Sequence, residues 1–224
     1  MSTAAAFDEI MRSRWSCRAY LDQELPEGLI HQIFATAQRT ASWCNTQPWR
    51  TYFLTGAATK RFAASLVDHV RDHQPASDLA RPERYVGVYR DRRRQAGFQL
   101  YASLGVDREN LDARAAQHLR NYEFFGAPHV AVVTTDRDQA TYGAIDCGAY
   151  VANVMNAATS LGIATIPQAA IAMYSGHVRA FLELPDDRQV VCAISFGYPD
   201  PDHPANSFRT SRGDPDQAVT YLNS

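Results

Sequence analysis

No apolar run in the 224 residues approaches the ~20 that a membrane-crossing helix needs, which argues against a membrane protein. The start, MSTAAAFDEIMRSR, has no apolar stretch between a basic end and a cleavage site, so no signal peptide is expected. Cysteine is sparse: Cys17, Cys44, Cys147 and Cys192 lie far apart without a C-x-x-C pair. That spacing speaks against a disulfide framework or a zinc site and for reduced thiols in the cytoplasm. An excess of one charge is also missing. The formal net charge of −2 gives no global field that would recruit nucleic acid or a membrane surface. Walker A, G-x-G-x-x-G and G-x-S-x-G patterns are absent, so neither a phosphate loop, a dinucleotide fold nor a serine nucleophile is indicated. His69 and His73 share a helical face, but no H-E-x-x-H glutamate accompanies them and no metal is expected.

What is present is ordinary for a globular chain: 46% hydrophobic and 21% charged residues, with no repeat and no linker. The expectation is one α+β domain over 1–224. Helices are expected over Ala4–Arg14, over LPEGLIHQIFATAQR with Pro26 in its first turn, over Gly56–His73, and over a segment beginning near Asp107. A long helix rich in small residues runs from Tyr142 to a stop at Gly162, and VRAFLEL gives a shorter one. Strands are expected at Trp49–Thr55, His129–Asp136 and Gln189–Pro199. A polar, basic excursion occupies about 75–105, and a Pro-rich tail at about 200–224 is expected to wrap over the body or over a partner subunit.

Five stretches stand out. In RWSCRAY, Arg14, Ser16 and Arg18 alternate; in an extended segment all three share one side, where two guanidiniums flanking a hydroxyl suit a phosphate. A solvated helix end accounts for the same residues. Arg209 and Arg212 in the tail form a second cluster, and Arg92, Arg93 and Arg94 a third. TASWCNTQPW, Thr40–Trp49, has neither helical nor strand period and is too aromatic for a plain solvated loop. LGIATIPQAAIAM reads as a small-residue turn around Pro167 whose backbone can approach a planar ligand.

Taken in order, these stretches resemble the nitroreductase family of FMN-dependent flavoproteins. Arg14, Ser16, Arg18 and Tyr20 match its R-x-S-x-R-x-[FY] run, and Ser42, Asn45, Gln47, Pro48 and Trp49 match S-x-x-N-x-Q-P-W. Gly162, Ile163 and Pro167 match its later turn; Gly197, Tyr198 and Pro199 precede the basic tail. Two departures stand in the motifs: Ala41 replaces the usual Pro, and Ala169–Ala170 replaces Glu-Gly.

The resemblance implies a central, mostly antiparallel sheet flanked by helices in an intertwined homodimer, with FMN bound at the subunit interface. It implies FMN-binding roles for Arg14, Trp15, Ser16, Arg18, Arg209 and Arg212, and for the backbone around Pro167, Gln168, Ala169 and Ala170 near flavin N5. Ser42, Asn45 and Gln47 would reach a flavin in the opposite subunit. NADH or NADPH would deliver hydride in a ping-pong cycle to a small aromatic acceptor, nitrobenzoate-like compounds among them. The chemistry is then the cofactor's, with no catalytic side chain. Acceptor contacts are expected from Trp43, Arg92, Arg93, Arg94 and Phe124. Dehalogenation, ene reduction or flavin consumption on the same fold, or a flavin-carrying sensor, remain the alternatives.

Overall fold

Ser2 accepts a hydrogen bond from the Ala5 amide and caps the first helix, α1 (Thr3–Ser13). The computed structural model describes residues 2–222, so 223–224 of the expected tail lie outside the described residues. In chain order follow α2 (Glu27–Ala37), β1 (Arg50–Thr55), α3 (Gly56–Asp72), α4 (Gly87–Ser103) and α5 (Leu111–Leu119). Next come β2 (His129–Asp136), α6 (Ala140–Ser160), β3 (Ala164–Gln168), α7 (Ala169–Ala172), α8 (Ser175–Leu182) and β4 (Arg188–Gly197).

The four strands form one antiparallel sheet in the order β1-β2-β4-β3, an α+β architecture. β2 and β4 are central and buried on both faces, which is why HVAVVTTD carries no polar alternation. Alternate residues feed two cores. On one face Ala131, Val133, Ile194 and Phe196 pack with Ile33 of α2 and Cys147, Tyr150 and Val154 of α6. On the other, Val130, Val132, Val190 and Ala193 pack with Phe62 and Leu66 of α3, Ile171 of α7 and Val178 of α8. Val190 and Ala193 share a face despite their odd spacing because a bulge interrupts the β2–β4 register at Val133/Thr134.

Gly162, at φ +73°, ends α6: its N–H bonds the Thr159 carbonyl and the Ile163 N–H bonds the Ala158 carbonyl, the paired closure that a left-handed residue permits. Three sequence expectations shift. Pro26 is the N-cap of α2 and not a first-turn residue, its φ of −58° fitting either place. The helix expected near Asp107 starts at Leu111, because the Asn110 side chain caps it by accepting the Ala113 N–H at 3.0 Å. Pro167 lies in a strand, not a turn; β3 is the outer strand, where a missing N–H is tolerated.

The excursion carries α4, a helix with no buried residue. The tail folds back on it, Arg92 Nη2 donating to Gln217 Oε1 at 2.8 Å. Among the described residues no helix is long and apolar enough to cross a membrane.

Candidate functional site

After α1 the chain runs extended beside β3. Ser16 bridges Thr165, and the Cys17 N–H bonds the Thr165 carbonyl at 3.0 Å. Cys17 and Ala19 therefore face the interior, while Arg14, Ser16 and Arg18 face outward, as their period of two requires. Burial pushes the Cys17 thiol up to about 11, leaving it an inert packing group.

The Asn206 side chain ties the tail to this segment. Asn206 accepts the Arg18 N–H at 2.9 Å and donates to the carbonyls of Ala19, at 2.9 Å, and Asp200, at 2.8 Å. The residues that follow, Phe208 to Arg212, then lie opposite Arg14–Arg18. Together the two segments enclose a cleft of about 240 Å³ that includes Trp15, Ser16 and Thr210. Arg209 stacks on the Trp15 ring at 3.9 Å, and Arg18 sits 5.9 Å from the Phe208 ring.

Four guanidiniums, of Arg14, Arg18, Arg209 and Arg212, thus converge from opposite ends of the chain. Among the described residues none of them forms an ion pair with a carboxylate. Burial, and then the like charge of Arg212, lower the Arg14 pKa; burial does the same for Arg18. Such a cluster without a counterion is built for an anion with several oxygens, and the donor set fits a phosphate.

At the end of β3, the side chain of Gln168 is spent inside the core, donating to the Asn121 carbonyl at 2.7 Å and accepting from Ser195 Oγ at 2.5 Å. Only its backbone is free for a ligand. Ala169 and Ala170 instead face a cavity of about 890 Å³, walled by Met173, His118 and the excursion residues Arg81, Arg84, Arg90 and Arg93, with Glu83 as its one acid.

The Thr40–Trp49 loop is a tightly bonded unit. Cys44, Asn45 and Gln47 all adopt left-handed φ, of 52°, 57° and 48°. The Ser42 hydroxyl accepts the Gln47 N–H at 2.9 Å, Gln47 Nε2 reaches Asn45 Oδ1 at 3.1 Å, and Gln38 donates to Gln47 at 2.9 Å. The Trp43 N–H is held by Asp146 of α6 at 3.1 Å, and its exposed ring lies against Tyr142. Trp49 stacks on Tyr150 at 4.8 Å and 7°. This loop leads into β1, one edge of the sheet, whereas the arginine cleft adjoins β3, the other edge. With strands ~4.8 Å apart, one chain keeps the two sites separate.

Phe124, expected to touch an acceptor, is fully buried. It and Phe125 take left-handed φ, of 53° and 55°, a turn that drives Phe124 onto Phe62 at 5.4 Å. The arginine triplet splits around α4: Arg93 faces the large cavity, Arg92 the tail, and Arg94 a further cleft with Phe98 and Tyr101. Sequence reasoning missed Asn206, which precedes Arg209 in the polar tail with no motif to mark it. It also missed His118, Arg81, Arg84 and Arg90, which lie on elements whose pattern gives no sign of a shared wall. Among the described residues no three His, Cys, Asp or Glu side chains are placed to hold a metal ion.

A model of the nitroreductase family matches residues 11–198. The chain belongs to the nitroreductase family. Its sequence is 37% identical over 227 residues to a 4-nitrobenzoate reductase of Nocardioides sp. (strain LMS-CY), covering 97% of this chain and 90% of the relative. It is 33% identical over 208 residues to a 4-nitrobenzoate reductase of Pseudomonas putida, covering 92% and 91%. Among nitroreductases of known structure, the FMN-dependent NfnB of Mycobacterium smegmatis in complex with NADPH superposes with a TM-score of 0.94 at 32% identity, covering 99% of this chain and all of that one.

Proposed function

We propose that this nitroreductase is an FMN-dependent oxidoreductase that reduces nitroaromatic compounds with NADH or NADPH. The observation that carries the reading is the arginine cleft: four guanidiniums from both chain ends, none paired with a carboxylate, facing one enclosed space. Relatives named for nitroaromatic reduction support the acceptor class.

Arg14, Arg18, Arg209 and Arg212 would hold the FMN phosphate, with Ser16 as a further donor and Trp15 as the plate that positions Arg209. The main chain of Pro167 and Gln168, together with Ala169 and Ala170, would line the flavin face, their small side chains leaving the approach open. Ser42, Asn45 and Gln47 would come from a second copy. When bound, the flavin supplies the two-electron chemistry, accepting hydride from the nicotinamide and passing it to the acceptor. The protein positions the partners and limits water, and needs no acid–base pair.

The second copy is argued from placement. The loop and the arginine cleft occupy opposite sheet edges of one chain, so a shared site requires two chains in reciprocal arrangement. The outer face of α6 offers the surface: Tyr142, Ile145, Gly148, Ala149 and Ala152 are exposed, and Phe7 and Met11 of α1 are also uncovered. Small residues there permit close helix approach. A homodimer working in the cytoplasm is the assembly we infer.

Four arginines against Glu83 make the large cavity cationic and favour an acceptor bearing a carboxylate. Purified protein should be yellow, be bleached anaerobically by a reduced nicotinamide, and be reoxidised by 4-nitrobenzoate more efficiently than by nitrobenzene. Failure of both nicotinamides to bleach the flavin would remove the reductase reading. Arg84→Ala should raise the KM for 4-nitrobenzoate and leave that for nitrobenzene in place, and Ile145→Glu should yield a monomer by light scattering. Equal effects on the two acceptors would remove the carboxylate preference, and an unaltered mass would remove the α6 interface.

A further inference from the structure

The proposed reduction draws on NADH or NADPH, and the two donors differ by a single 2′-phosphate. A second cationic cleft, of about 340 Å³, shares Arg93 with the large cavity that Ala169 and Ala170 line. Arg93, Arg94, Arg108 and Arg114 line it with the rings of Phe98 and Tyr101, and no acidic residue is among its lining residues. Arg93 lines both spaces.

The guanidiniums in this cleft are held by rings instead of carboxylates. Arg94 and Arg108 approach the same Phe98 ring, at 5.8 and 5.7 Å, and Arg114 approaches Tyr101 at 5.1 Å. Arg114 Nη1 donates to the Arg108 carbonyl at 3.0 Å, which pins the loop carrying Arg108 against α5. Its Nε is buried and has no hydrogen-bond partner. Asp107, Glu109 and Asp112 lie in the same segment, yet none pairs with these arginines among the described residues.

Aromatic stacking leaves the in-plane N–H donors of a guanidinium free, and two arginines on one ring bring like charges together without a counterion. The ligand that balances this is a compact dianion with several oxygens, carried on a group that can itself lie on a ring or guanidinium plane. A 2′-phosphorylated adenosine has both features, and arginine is the usual reader of that phosphate. We propose that this cleft binds the adenosine 2′-phosphate of NADPH, so that Arg94, Arg108 and Arg114 make the protein select NADPH over NADH. The nicotinamide end then lies in the large cavity beside Ala169 and Ala170, and Arg93 meets the dinucleotide between the two. The inference rests on the chain being a nicotinamide-consuming flavoenzyme.

The test uses FMN-loaded enzyme and two readouts. In anaerobic flavin reduction the wild type should show a second-order rate constant at least tenfold higher with NADPH than with NADH. Arg108→Ala and Arg114→Ala should each cut that ratio fivefold or more through the NADPH value, whereas Arg71→Ala, an exposed arginine on α3, should not. In calorimetric titration, 2′,5′-ADP should bind at least tenfold tighter than 5′-AMP, and the two cleft variants should abolish the difference. Equal rates with the two donors, equal binding of the two nucleotides, or a similar loss in Arg71→Ala would each overturn the assignment. If neither donor bleaches the flavin, the reductase reading fails, and the nucleotide titration still decides the cleft.

Discussion

The side-chain carbonyl of Asn206 accepts the main-chain N–H of Arg18 at 2.9 Å across 188 residues of sequence. The same side chain spends its amide on Ala19 and Asp200, so one buried residue joins the two halves of the arginine cleft. Asn206→Leu removes these partners and leaves the Arg18 N–H and the Asp200 carbonyl without them, while the Ala19 carbonyl keeps the Asp200 N–H at 3.1 Å. Loss of such buried partners costs about 1–3 kcal/mol. We expect a lower thermal midpoint for the apo-protein and a larger loss of FMN affinity than of stability. An unchanged FMN dissociation constant would show that the clamp does not shape the cleft.

Arg18→Ala tests the phosphate assignment itself. A charge-assisted hydrogen bond is worth about 1.5–3 kcal/mol, which corresponds to roughly 10- to 150-fold in the FMN dissociation constant. Equilibrium dialysis of released flavin reads this directly. Full occupancy at low FMN would place the phosphate elsewhere.

At Asn45 the backbone and side chain can be separated, because its φ of 57° suits Gly better than Ala. Asn45→Gly keeps the loop conformation and loses the contact to Gln47, while Asn45→Ala loses the contact and adds strain on the order of 1 kcal/mol. Equal shifts in flavin absorption and potential in both variants would assign the effect to the side chain. A shift confined to Asn45→Ala would assign it to backbone geometry.

Three partly or fully buried histidines fix the acid side of stability. Burial lowers the pKa of His129, whose Nε2 accepts the Leu25 N–H at 2.8 Å and so must be unprotonated. His69 and His177 are lowered by burial and then by neighbouring imidazoles, in a stack with ring separations of 3.8 Å between His69 and His73 and 4.1 Å between His69 and His177. A folded-state pKa below the unfolded value of about 6.5 means that the unfolded chain binds more protons near that pH. Stability is therefore present above pH ~6.5 and is lost as pH falls through the lower folded values. Denaturant midpoints should drop between pH 7.5 and 5, and the decline should be shallower in His69→Gln. A flat profile in the wild type would contradict these assignments.

Much of this was legible in sequence where local chemistry dominates. The β-branched run His129–Asp136 gave β2 to the residue, and the alternation of Arg14, Ser16 and Arg18 foretold their common side. Pro167 was misread because a proline among small residues signals a turn, and only the tertiary fact of an outer strand makes it tolerable. Phe124 misled because its inward direction comes from a left-handed turn that no pattern announces. The large cavity was hidden for another reason: Arg81, Arg84 and Arg90 look like solvated charge until α4 and α7 set them facing Ala169 and Ala170.

The separation of the arginine cleft and the Thr40–Trp49 loop on opposite sheet edges has a genetic consequence. An Arg18→Ala chain carries an intact loop, and an Asn45→Ala chain carries an intact cleft. In a mixed pair of the proposed dimer, one site would inherit both lesions and the other neither. The two impaired alleles expressed together should therefore restore wild-type flavin binding to a fraction of the sites, while two alleles damaged at Arg18 and Arg209 should not.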